Sequence, residues 1–84
     1  MLERTILKFK NILLRLESDS LDYDGLFRLK IEFELATVDF MEELQRLNDD
    51  IYKKHKDDYV NSLLKEGSFL FLNIREGFRS RNIF

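Results

Sequence analysis

Residues 26–47 read LFRLKIEFELATVDFMEELQRL, and how this stretch coils decides the fold. Apolar residues fall at Leu26, Leu29, Phe33, Ala36, Phe40, Leu44 and Leu47, and Ile51 continues the row. Each step is three or four residues, and side chains at that spacing stack on one face of a helix. Leu35 and Met41 are expected to widen this stripe beyond a coiled-coil seam. The stretch also carries a second rhythm. Phe27, Leu29, Ile31, Phe33 and Leu35 alternate with Arg28, Lys30, Glu32 and Glu34, which is the period of a half-buried strand. Such a strand would pair with residues 14–17 across the turn-rich 18–25, forming a β-hairpin packed against helices. The helix is preferred because its period runs on through Phe40 and Leu44. A lone hairpin is also marginal without cover.

Outward from this stretch, the same period recurs. Leu2, Ile6, Phe9, Leu13 and Leu16 predict a first helix over about 2–17, with Leu7, Ile12 and Leu14 broadening its apolar face. Glu3 suits its positive end. The cluster at 18–25 is the clearest break, and Ser20 or Asp22 can cap a second helix over about 22–47. Asp19, Asp22 and Asp24 do not make a calcium loop, because the twelfth position from Asp19 is Lys30 rather than a bidentate Glu. Asn48 or Asp49 can cap a third helix over about 50–66, though the stripe keeps its phase across them. Gly67 reads as a helix stop, since glycine takes the left-handed conformation freely, and Ser68 as a fresh cap. A fourth helix is then expected over about 69–79. The chain is thus expected to be all-α: one domain over 1–84, a small antiparallel bundle of three to four helices. The β-hairpin on helices is the alternative.

Composition narrows the function. At 84 residues the chain can bury only a modest core, so assembly with a copy or partner would help it. Without cysteine it has no disulfide framework and no thiol chemistry. No apolar run approaches a membrane span, and a cytoplasmic location is expected with no membrane partner. His55 is the lone histidine, so no histidine cluster exists for zinc. No phosphate-cradling glycine loop, nucleophile motif or Glu-x-x-His spacing occurs. A non-enzymatic protein without cofactor or metal is expected.

Charge is unevenly spread beneath a net −2. Residues 17–50 hold eleven acids and three bases, whereas 51–84 hold seven bases and four acids. Two functions follow as expectations. The preferred one is a protein–protein interaction module: a helical adaptor, chaperone or inhibitor, binding a protein partner or itself as a homo-oligomer. Its binding residues would be the aromatic and aliphatic surplus Phe27, Ile31, Phe71, Phe78 and Phe84. The acids Asp39, Glu42 and Glu43 would face a basic partner, as in an immunity or toxin-neutralising protein. Arg79 and Arg81 join the tail aromatics. The alternative is a small nucleic-acid-associated regulator using the basic C-terminal half, opposed by the net negative charge.

Overall fold

The computed structural model describes residues 2–18, 21–47 and 58–82. Three helices account for them: α1 (Leu2–Glu17), α2 (Tyr23–Leu47) and α3 (Asp58–Ser80). No strand occurs among the described residues, and the chain is an all-α bundle. Residues 27–35, the candidate strand, lie wholly inside α2.

Local chemistry sets the ends. Asp22 caps α2: the Gly25 N–H donates to its Oδ1 at 2.7 Å, and the Leu26 N–H to its carbonyl at 2.9 Å. These bonds satisfy donors that a helix start leaves orphaned. At the far end of α3, Asn82 takes φ 58°, and its N–H donates to the Arg79 carbonyl at 3.1 Å. A left-handed asparagine there closes the helix as glycine would.

Gly67 does not stop a helix. α3 runs unbroken through it, so the expected helices ending at 66 and starting at 69 are one, and Ser68 lies mid-helix rather than at a cap. The physical reason is a close approach. Gly67 is buried against α2, and a Cβ built on it would lie 2.6 Å from Phe40 Cε1. The missing side chain makes room for the Phe40 ring. The expected break at 48–50 and the start of a helix near 50 fall outside the described residues.

Charge pairs mark the register. Lys8 Nζ meets Asp39 Oδ2 at 2.9 Å, and Arg15 pairs with Glu32. Seven residues forward on α1 match seven residues back on α2, so the two run antiparallel. Lys10 pairs with Glu66 at 2.9 Å, and Leu16 packs beside Gly77, so α3 runs parallel to α1. Phe9 of α1 sits at the centre, fully buried. Its ring centroid lies 5.5 Å from Phe40 edge-on, 6.0 Å from Phe33 and 6.5 Å from Phe71. Tilted and edge-on aromatic pairs at such distances add to the stabilisation from area burial. Leu2, Ile6, Ile12, Leu16, Leu29, Ala36, Leu63, Leu70, Ile74 and Phe78 complete the core. Among the described residues, no buried side-chain polar atom lacks a hydrogen-bond partner.

Candidate functional site

α2 has two apolar faces. One is the core face, Leu29, Phe33, Ala36 and Phe40, all buried. The other carries Tyr23, Phe27, Ile31, Leu35, Val38 and Met41, which remain 46–70 % exposed. At about 100° per residue, the second stripe is centred roughly 150° or more from the first. Its centre therefore points away from α1 and α3, while Leu35 lies at its α1-side edge and also lines the groove between α1 and α2. Leu35 and Met41 belong to this outer stripe and do not widen the core, correcting the expectation from spacing. The apparent alternation over 27–35 comes from these two faces, since residues two apart on a helix fall on nearly opposite sides.

The outer stripe is edged by charge. Lys30 Nζ lies 3.8 Å from Glu34 Oε1 and 5.9 Å from the centroid of the Phe27 ring. That places one cation beside the stripe's aromatic and one acid within the stripe. Asp24 and Glu42 flank its two ends and are exposed. The remaining exposed large apolar groups among the described residues are Leu7 and Leu14 on α1 and Tyr59, Phe69 and Leu72 on α3. α1 is clasped by two helices as its apolar content implies, but Leu7 and Leu14 stay outside.

The expected binding residues divide by burial. Phe27 and Ile31 lie on the outer stripe. Phe78 is 0 % exposed and stacks toward Phe33 at 5.7 Å, so it belongs to the core and offers no surface to a partner. Phe71 is half-buried, 5.3 Å from the Phe33 ring, and faces inward. Phe71 and Phe78 are seven residues apart on α3 and share its inward side, so the core takes up this part of the expected aromatic surplus. With α3 unbroken, Leu63, Gly67, Leu70, Ile74 and Phe78 form one inward stripe.

The acids are not assembled as a free acidic face. Asp39 and Glu32 are held by Lys8 and Arg15, and Glu43 lies 3.4 Å from Arg46. Glu42 is exposed beside them and helps line a small polar pocket with Arg4, Thr5 and Lys8. Arg79 lies 3.2 Å from Glu76, and Arg81 is exposed in the turn after α3. Phe84 and His55 fall outside the described residues. A groove of about 280 Å³ runs between α1 and α2, floored by Ile12 and Ala36 and walled by Lys8, Asn11, Arg15, Glu32 and Leu35. It lies where Asn11 and Ala36 interrupt the ladder of charge pairs.

Among the described residues, no group of three or more His, Cys, Asp or Glu is placed to hold a metal ion. Among the described residues no helix is long and apolar enough to cross a membrane. Comparison with known proteins finds no matching family model, no matching curated protein and no matching solved structure.

Proposed function

We infer that the protein is a helical protein–protein interaction module and that the outer face of α2 is its binding surface. One observation carries this reading: six large apolar side chains line the side of α2 that the bundle leaves uncovered. Water disfavours such a surface, and apolar stripes of this size mark interfaces. The stripe is aromatic at one end, rimmed by charge and mounted on a 25-residue helix held at its back by the core. A rigid helix face of this kind meets another helix or a groove, as amphipathic helices do in partner recognition. A cationic partner drawn to Asp39, Glu42 and Glu43 has less support, because Asp39 is engaged by Lys8.

Native mass spectrometry of the chain, alone and after passage through a host extract, tests the reading. The comparison is a variant carrying Phe27→Gln and Val38→Gln, checked for unchanged helicity. The reading expects a complex with the original chain, homomeric or heteromeric, that the variant fails to form. A chain that stays alone in both settings, or a variant that assembles equally well, would overturn it.

A further inference from the structure

We propose that the occupant of this face is the α2 helix of a second copy, laid antiparallel across a two-fold axis. The proposal rests on the interaction reading above and narrows it to one partner. Three observations support it.

The first is area. The six residues together expose on the order of 600 Å², about three quarters of the ~800 Å² a side of a standard stable interface. That is at the upper end of the largest apolar patch on an ordinary monomer, about 300–600 Å². The second is the order of the residues. Tyr23 and Met41, Phe27 and Val38, and Ile31 and Leu35 are three pairs whose midpoints fall between residues 32 and 33. An antiparallel copy centred there brings the members of each of these three pairs to about the same level, apolar beside apolar. An isologous contact requires such self-complementarity.

The third is charge. Lys30 at the stripe's edge and Glu34 within it lie on the same side of its centre line, and an antiparallel two-fold brings like sides together. Lys30 of each copy then lies beside Glu34 of the other. A parallel pairing would instead bring opposite flanks together, and Lys30 would lose this partner on the second copy. The antiparallel arrangement keeps one unfavourable row, Asp24 against Glu42 of the second copy, which occurs twice by symmetry. That residual repulsion makes the proposal sharp, because a heteromeric partner would have no reason to show it.

The chain has no cysteine, so paired single substitutions report the geometry directly. Phe27→Cys and Val38→Cys proteins are prepared separately, mixed and oxidised under mild conditions. The proposal expects a mixed 27–38 disulfide and little 27–27 product, because the two Phe27 positions lie about 16 Å apart along an antiparallel pair. In parallel, Glu42→Lys turns both repulsive rows attractive and is expected to tighten self-association about fivefold or more. A dominant 27–27 product, or weakening by Glu42→Lys, overturns the antiparallel pairing. A monomer whose α2 face captures a different protein overturns self-pairing but leaves the interaction reading standing. A monomer that captures nothing overturns both.

Discussion

Single residues hold the ends and the closest contact. Asp22 supplies the capping bond at the start of α2, to an otherwise orphaned N–H. Asp22→Ala is expected to lower stability by about 1 kcal/mol, read as a fall in the urea midpoint at unchanged slope. Gly67 tests the packing of α3 against α2. Helix propensity alone predicts that alanine stabilises this position by about 1 kcal/mol. The Phe40 ring predicts the opposite, since the new Cβ would overlap it and overpacking costs roughly 1–3 kcal/mol. Gly67→Ala should therefore destabilise in the original background. Adding Phe40→Leu should shrink that penalty, because the ring that the added methyl meets is gone. A stabilising Gly67→Ala in both backgrounds would show that the two helices do not approach so closely.

At the scale of elements, opposite charges align α1 with α2. Lys8 and Asp39 are about half exposed, so their pair contributes only about 0.2–1 kcal/mol. Its worth lies more in register than in stability. Lys8→Asp or Asp39→Lys alone should lower the melting temperature, and the exchanged pair should restore most of the loss. Added salt should reduce the coupling. A double variant no better than the worse single one would sever the link. The helices themselves are largely legible from spacing. The row Leu29, Phe33, Ala36, Phe40 names the core of α2, and Leu2, Ile6, Phe9, Leu16 most of that of α1. Two things are not legible, for definite reasons. Gly67 carries the same signal at a helix end and at a close contact, and only the position of Phe40 distinguishes them. Leu35 and Met41 sit at helical spacing from both faces of α2, so a stripe traced by steps of three and four absorbs them wrongly. Their angular position places them outside. The charge division between chain halves suggests an acidic face, but Lys8 and Arg15 use part of it to dock α1.

The whole molecule is a slender bundle, 45 Å by 18 Å by 18 Å, with an aromatic centre and one long helix whose far side is also apolar. A bundle this small has little stability to spare, and covering the outer stripe of α2 would add to it by mass action. Folding and assembly are then linked: the melting temperature should rise with protein concentration, and a substitution on the outer stripe should remove that rise without touching the core. The most direct test is sedimentation equilibrium of the chain and of its Ile31→Lys variant, up to about 100 µM, a range that reveals even micromolar self-affinity. The account predicts twice the chain mass for the original protein and a single chain mass for the variant, with equal helicity. A single chain mass for both across that range would contradict self-pairing through α2.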